Sequence, residues 1–425
     1  MGPVGIICEY NPFHNGHRSQ LRQIREELGP DTGIVCLMSG NYVQRGEPAI
    51  FPKQLRAEAA VRCGADLVLE LPLTAALSSA EGFAARGVEI LTVLGCEGLS
   101  FGSECGDRNL LMSTAERNLD PRFDGLVREH LSSGCSYPTA RARALETLGC
   151  AAVSAPNDIL AVEYCKAILR QESPMQPLPI HRPGSYHAET LNPEAPSATA
   201  LRKALEISRR DEPCSSGNRI ECDLSETNQN PEVPQAEKQG LPLQTHQELP
   251  RWRAAVPSCL RELYAAAPIH TMAAGERAVL AILRTLPDAA YEALPFGSEG
   301  LWSKLMKNAR ACSSVEEILA ATKSKRYTLS RLRRMLLCAV LGLTEDDLAK
   351  KAPYVRVLAF NDRGRALLRE RKARYSLVNA GETPPDAAFY ALETRAADLY
   401  SLFSWDVPRP GGEEAGLRVS YLPGL

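Results

Sequence analysis

The chain has 425 residues, 44% hydrophobic and 24% charged, with a formal net charge of −2. That length predicts about two or three domains, and the balance is that of a soluble globular protein rather than a disordered or fibrous one. The near-neutral charge excludes global attraction to nucleic acid, so any RNA site must be a local patch. Thirteen cysteines, an odd number, lie scattered with no CxxC pair. Cys36, Cys63, Cys96, Cys165 and Cys338 sit in apolar segments and read as reduced core residues of a cytosolic protein. No run approaches the ~18 apolar residues of a membrane span. The N-terminus lacks the basic flank and apolar core of a signal peptide, and Gly2 lacks the downstream hydroxyl residue of a myristoylation site. The expectation is a cytoplasmic protein with no membrane contact.

Val4 to Cys8 is a short β-branched run that reads as a buried strand. Asn11-Pro12 breaks it, because the residue before a proline is pushed out of the helical region. From Gly16 onward, Leu21, Ile24 and Leu28 share one helical face. Two histidines, His14 and His17, therefore stand at a strand-to-helix turn. A helix N-terminus offers free N–H groups and a positive dipole end to phosphate. Imidazoles beside it can donate to phosphate oxygens as charge develops there. Histidines three apart on a helix could also be half of a metal site, but no cysteine or carboxylate follows at ligand spacing. We therefore expect no protein-held metal.

Thr32 to Met38 reads as a second strand, followed by a polar, glycine-bounded loop over Ser39–Pro48. A helix over Pro52–Cys63, a strand over Ala65–Leu71, a helix over Ser78–Leu94 and a strand at Gly98–Phe101 come next. Strands alternating with helices predict a parallel α/β sheet of right-handed crossovers, in which ligands sit at the carboxyl ends of the strands. His14, His17, Ser39–Gly46 and Gly102 all follow strands, so they should converge on one edge. Further helices are expected over Thr139–Thr147 and Ile159–Gln171, with Asn157 or Asp158 as N-cap of the second. Pro179 to Arg182 reads as a short strand. Ser197, Thr199 and Arg202 open another helix, where hydroxyls and a guanidinium can bond phosphate, although a plain cap with an exposed Arg fits the same residues.

Residues 211–250 hold eight acids, two bases, five prolines and no Phe, Tyr or Trp. Such a segment cannot bury enough apolar area to offset its ordering entropy. The chain thus divides into 1–208, an acidic flexible linker over 209–250, and 251–425. The last part is mostly helical, with helices over Ala273–Leu286, Leu301–Asn308, Ser314–Thr322, Asp362–Arg371 and Asp386–Phe403, and a strand at Tyr354–Phe360. Lys323 to Arg334 reads KSKRYTLSRLRR, six bases, one tyrosine and no acid. Lys323, Lys325, Arg326, Arg331, Arg333 and Arg334 can pair with phosphates while Tyr327 stacks a base, which suits single-stranded RNA. Lys304 and Lys307 would extend that patch. A solvated helix face is the competing reading.

EYNPFHNGH, SGNYVQRGEPA, DLVLELP, SFGSE, PNDILAVEY, HRPGSYH, SATALR and KSKRYTLSRLRR occur in one order. Together they resemble the bacterial tRNA(Met) cytidine acetate ligase family, a branch of the HxGH nucleotidyltransferase superfamily. The resemblance implies a Rossmann-like, parallel-sheet nucleotidyltransferase domain over 1–208, binding ATP, followed by a mostly helical region that binds tRNA. It implies formation of acetyl-adenylate from ATP and acetate, then acetyl transfer to N4 of the wobble cytidine of elongator tRNA(Met). It carries the ATP site onto Ile7, Cys8, Glu9, Tyr10, Asn11, Pro12, Phe13, His14, Asn15, Gly16, His17, Arg18, Ser19 and Gln20. To these it adds Gly102, Asn157 and Arg182, and it supports Ser197, Thr199 and Arg202 as phosphate contacts. His14 and His17 are the expected catalytic pair, with Mg²⁺ entering on the ATP oxygens. Asp158 stands where that family more often has a second Asn. No stable protein partner is implied. A small-molecule adenylyltransferase would share the N-terminal motifs but leave the helical part without a task, and a non-catalytic tRNA-binding protein would not need the intact HNGH and SATALR elements.

Overall fold

The computed structural model describes residues 2–182, 192, 196–210, 251–324, 326–370, 376–406 and 411–425. The linker residues 211–250, Lys325 and the Pro183–His187 part of HRPGSYH lie outside them. The first strand, β1 (Val4–Cys8), and the second, β2 (Ile34–Ser39), pair in parallel. The segment expected as a loop after β2 is instead a ribbon, β3 (Tyr42–Val43) and β4 (Glu47–Pro48), antiparallel. Strands two residues long leave no alternation to read, and what orders them is burial of Tyr42 and Val43.

β5 (Leu67–Leu71), β6 (Gly98–Ser103) and β7 (Gln176–His181) complete the N-terminal part of the sheet. β1 lies between β2 and β6, so the chain builds outward through β2 and β5, then crosses back to β6 and β7. That reversal beside β1 is the topological switch point at which open α/β sheets bind ligands. β2 and β5 are buried along their whole lengths, as strands covered on both faces must be. One face packs against the helices Asn15–Leu28 and Lys53–Arg62, and the other against Ala80–Val93 and Pro156–Arg170. The α/β architecture expected from the alternation is what the chain forms.

The C-terminal part builds a further core around Leu336, Leu337 and Val340 of the helix Leu329–Leu341, which takes in Tyr42, Leu73 and Leu77 of the N-terminal part. It also returns to the sheet. β8 (Val355–Phe360) pairs antiparallel with β5, and β9 (Leu377–Asn379) and β10 (Ser420–Tyr421) pair with β8. The eight-stranded sheet is therefore mixed, and only its β8 to β5 junction is antiparallel.

At that junction Glu70 faces Arg356 in register, within a buried cluster of charges. Lys53 Nζ lies 2.8 Å from both Glu70 and Glu414, while Arg356 forms ion pairs with Glu414 and Glu393 at 2.9 Å each. Two cations and three carboxylates thus meet from five separate stretches of chain.

Candidate active site

Tyr10 takes a left-handed φ of 44° and Asn11-Pro12 is cis, which turns the chain sharply at the end of β1. His14 is the N-cap of the helix Asn15–Leu28. Its Nδ1 accepts from the Gly16 N–H at 3.1 Å, while His17 Nδ1 accepts from the His14 N–H at 3.3 Å. This is a capping box built from imidazoles. The rings stack with centroids 3.7 Å apart, and Tyr10 and Phe13 close on His17 at 4.9 and 5.4 Å. A Cβ on Gly16 would lie 3.0 Å from His14 Cε1, so any side chain there would press on the stacked pair.

Two consequences follow from the cap. Because each Nδ1 accepts, each proton sits on Nε2. Burial, with Arg182 and Arg202 nearby, holds His14 down to about 3 from 6.5, and burial together with His14 and Arg182 holds His17 well below its ordinary value. Both rings are thus neutral donors at pH 7. Among the described residues, His14 Nε2 has no hydrogen-bond partner. The Gly16 N–H, by contrast, is consumed by the cap, which leaves the imidazole Nε2–H groups as the donors this turn can offer.

The two histidines line a cavity of about 500 Å³, within the range of nucleotide-sized pockets. Its walls also include Ile7, Cys8, Glu9, Tyr10, Asn11, Gly16, Ser19, Gln20, Gly102, Asn157, Arg182, Ser197, Thr199 and Arg202. Pro12 and Phe13 are instead core residues, Asn15 donates to the Ala254 carbonyl at 2.9 Å, and Arg18 faces solvent. Within the cavity, Asn11 has its side-chain oxygen committed to the Ile50 N–H at 2.7 Å. A Cβ on Gly102 would meet only Arg182 Cδ, at 3.5 Å. Among the described residues nothing forbids a side chain there, and its absence leaves room in the cavity.

Ser197 caps the helix Ala198–Arg210 through the Ala200 N–H at 3.0 Å. Arg202 is steered by the Asn11 carbonyl at 2.8 Å and by Thr199 at 3.4 Å. Ser197 is thus a helix cap, as one reading of this segment has it, and Ser197, Thr199 and Arg202 also line the cavity. The helix Pro156–Arg170 departs from expectation, since its N-cap is Ala155, with Pro156 at the first helical position. Asn157 and Asp158 lie inside the first turn, where the Glu104 carboxylate takes the Asn157 side chain at 2.9 Å and the Asp158 N–H at 3.1 Å. Buried Asp158 accepts from the Ser103 hydroxyl at 2.5 Å and the Glu104 N–H at 2.9 Å. It orders the turn after β6 rather than meeting ligand. Asp158→Ala should cost about 2–3 kcal/mol by orphaning those donors, read as a lowered denaturant midpoint, while Asp158→Asn should cost less.

Sequence reasoning singled out the Ser39–Gly46 loop but assigned no residue in it. Gln44, Arg45 and Glu47 all line the cavity, and Gln44 N–H donates to Glu9 at 3.0 Å. The apolar wall of Phe83, Phe101, Leu160 and Tyr164 was also missed. Those side chains are indistinguishable from core positions by pattern alone.

The basic segment lies apart from this cavity and is largely engaged within the chain. Arg331 bonds the Phe296 carbonyl at 2.9 Å and Ser298 at 3.0 Å, Arg326 pairs with Glu299 at 2.7 Å, and Tyr327 donates to Glu299 at 2.6 Å. Arg333 pairs with Glu47. Arg334 is 7% exposed, stacks over Phe296 at 5.1 Å and is lowered to about 10 by burial. Lys323 and Arg326 keep exposed side chains.

A HIGH Nucleotidyl Transferase family profile matches residues 1–410, so the sheet, the switch point and the paired histidines define an enzyme of that class. A tRNA(Met) cytidine acetate ligase of Kosmotoga olearia is 32% identical over 461 residues, covering 100% of each chain. Another, of Anoxybacillus flavithermus, is 34% identical over 440 residues, again covering 100% of each. The crystal structure of Thermotoga maritima TmcAL superposes with a TM-score of 0.82 at 27% identity, and its form bound with alpha-thio ATP with 0.80 at 28%, each over 100% of both chains. The chain belongs to the tRNA(Met) cytidine acetate ligase family.

Proposed function

We propose that this protein activates acetate with ATP and transfers the acetyl group to N4 of the wobble cytidine of elongator tRNA(Met). In the first step an acetate oxygen attacks the α-phosphorus and pyrophosphate leaves, giving acetyl-adenylate. In the second, the cytidine N4 attacks the acetyl carbonyl, AMP leaves and N4 loses a proton. The observation that carries the reading is the pair of neutral, stacked imidazoles presenting Nε2–H to a cavity also lined by Arg182 and Arg202. Such donors match charge that grows on phosphate oxygens during displacement, and preorganisation spares their reorientation. The bound alpha-thio ATP of the Thermotoga protein and the names of the relatives support ATP and tRNA(Met) as substrates.

Glu9 and Glu47 are the acidic side chains of the cavity wall, and Glu47 is neutralised by Arg333. Glu9 is thus the carboxylate suited to a Mg²⁺ held mainly by triphosphate oxygens, where the ion would screen the phosphate charge. For tRNA, exposed Lys323 and Arg326 form the reachable part of the basic segment, with Lys304 Nζ 3.4 Å from the Lys323 carbonyl beside them. Nucleotide binding falls to residues 1–208 and tRNA binding to 251–425 in this reading, with action in the cytoplasm.

The test uses purified protein, ATP, labelled acetate and tRNA lacking the modification, with nucleosides read by mass spectrometry. N4-acetylcytidine should appear only when ATP and acetate are both present. ATP consumption directed to a small phosphorylated acceptor, with no acetylcytidine, would instead favour a small-molecule adenylyltransferase.

A further inference from the structure

A basic run outside the cavity lining, in a family that acts on tRNA, invites assignment as an RNA contact. Its last two arginines point elsewhere. The β3–β4 ribbon carries Gln44, Arg45 and Glu47 on its turn, and these residues form one wall of the nucleotide cavity. Arg333 pairs with Glu47, and Arg334 donates to the Gln44 carbonyl at 3.2 Å. Gly46, at the turn, has φ 78°, and a Cβ there would lie 2.4 Å from the Arg334 backbone nitrogen and 2.6 Å from the Arg333 carbonyl carbon. Ribbon and helix are therefore in backbone contact at a glycine, and the two guanidiniums hold the turn on either side of it.

The same ribbon reaches the ligand-facing residues directly. Gln44 N–H bonds Glu9 at 3.0 Å, and Glu47 lies 4.0 Å from Arg202, which itself bonds the Asn11 carbonyl at 2.8 Å. A continuous set of polar contacts runs from Arg333 through Glu47 and Arg202 to the turn that bears His14. Arg334 is nearly buried and points its charge at protein. A guanidinium committed in this way is poorly placed to neutralise an RNA phosphate.

We infer that Arg333 and Arg334 are positioning residues of the ATP site: they clamp the helix Leu329–Leu341 onto the ribbon and fix Gln44, Glu47 and, through Glu47, Arg202 against the nucleotide. The inference rests on the ATP-binding part of the proposed function. The KSKRYTLSRLRR segment then serves two ends, with its exposed start facing solvent and its last two arginines engaging the β3–β4 ribbon that walls the cavity. Displacement of a positioned group by about an ångström is enough to cost an order of magnitude or more in the reaction it serves.

The test uses the full chain without tRNA. ATP affinity is measured by equilibrium binding, and acetate-dependent exchange of pyrophosphate into ATP gives kcat and KM. Arg333→Ala should weaken ATP binding by about tenfold and raise the KM for ATP, and Arg333→Lys should restore part of both. Gly46→Ala carries no charge change, yet it should push the ribbon off the helix and weaken ATP binding to a similar degree. tRNA affinity and its salt slope should stay at the wild-type values for all three. A slope reduced by roughly one unit in Arg333→Ala, with ATP binding unchanged, would overturn the inference and return Arg333 to the RNA surface. So would unaltered ATP binding in both Arg333→Ala and Gly46→Ala. Melting temperatures identify a variant that has failed to fold, and Arg333→Lys then decides. If the wild-type chain binds ATP but shows no acetate-dependent exchange, the acetate reading fails while the binding arm still tests the clamp.

Discussion

His14→Asn should melt close to the wild-type temperature and lose acetate-dependent pyrophosphate exchange by about 10²–10³-fold, the cost of removing one preorganised donor to developing charge. Asparagine is chosen because its side-chain oxygen can replace Nδ1 as acceptor for the helix N-terminus. The substitution therefore keeps the cap and removes the Nε2–H, two roles that His14→Ala would confound. Wild-type exchange by His14→Asn would show that the imidazole serves the fold alone. The same ring leaves a mark on stability. Burial, Arg182 and Arg202 lower its folded-state value to about 3 from 6.5, so between those limits the unfolded chain binds the extra proton. Its share of stability is complete above pH 6.5 and falls as pH drops toward 3. A denaturant midpoint followed from pH 7 to 5 should decline less in His14→Asn than in the wild-type chain.

The largest stability effect is expected at Lys53. Replacement by Met would leave Glu70 and Glu414, both buried and each 2.8 Å from the lost ammonium, facing one another with Arg356 as remaining cation. Breaking a buried ionic cluster from one side costs about 3–5 kcal/mol, a large share of the total for any domain. Guanidinium unfolding would read it as a lowered midpoint with an unchanged slope. A loss below about 1 kcal/mol, the worth of an exposed pair, would show that water reaches the cluster. Glu70 adds a pH dependence of opposite sense to that of His14. Burial, then the carboxylates of Glu414 and Glu393, outweigh Lys53 and Arg356 and lift it to about 7 from 4.5. The folded state thus holds the extra proton between those values, and this contribution is present below pH 4.5 and lost as pH rises through 7. Glu70→Gln should remove that decline.

The local elements could be read from the chain because their signals are local. Val4–Cys8, Leu67–Leu71 and the helix Asn15–Leu28 declare themselves through apolar runs and spacing, and the HNGH turn through residue types that few other sites combine. Convergence of His14, His17, Gly102 and the segment after β2 on one cavity followed from the rule that strands of a parallel sheet present their carboxyl ends together, whereas Arg182 and Arg202 were added by the family resemblance and the helix-start reading. What escaped depends on pairing between distant stretches. Nothing in YVRVLAF says that β8 will lie antiparallel beside β5, or that Arg356 will meet Glu414. Tyr42 was invisible as a core residue because its hydroxyl seeks the Ala396 carbonyl, 3.0 Å away and 354 positions later. Arg333 and Arg334 looked like surface charge for the same reason, since their partners Glu47 and Gln44 lie in another region of the chain. Sequence reports the charge of a side chain but not the neighbour that absorbs it.

The antiparallel seat of β8 on β5 bears on synthesis as well as on structure. Translation delivers β5 early, with one edge already covered by β2 and the other awaiting a strand that the ribosome has yet to make. Until residues 355–360 emerge, the Leu67–Leu71 backbone presents unpaired amide and carbonyl groups flanked by leucine side chains, the kind of template on which nascent chains associate with one another. The N-terminal half of the sheet is therefore completed by the C-terminal half, and a cell making this protein must shelter one exposed strand for most of the time it takes to build the chain.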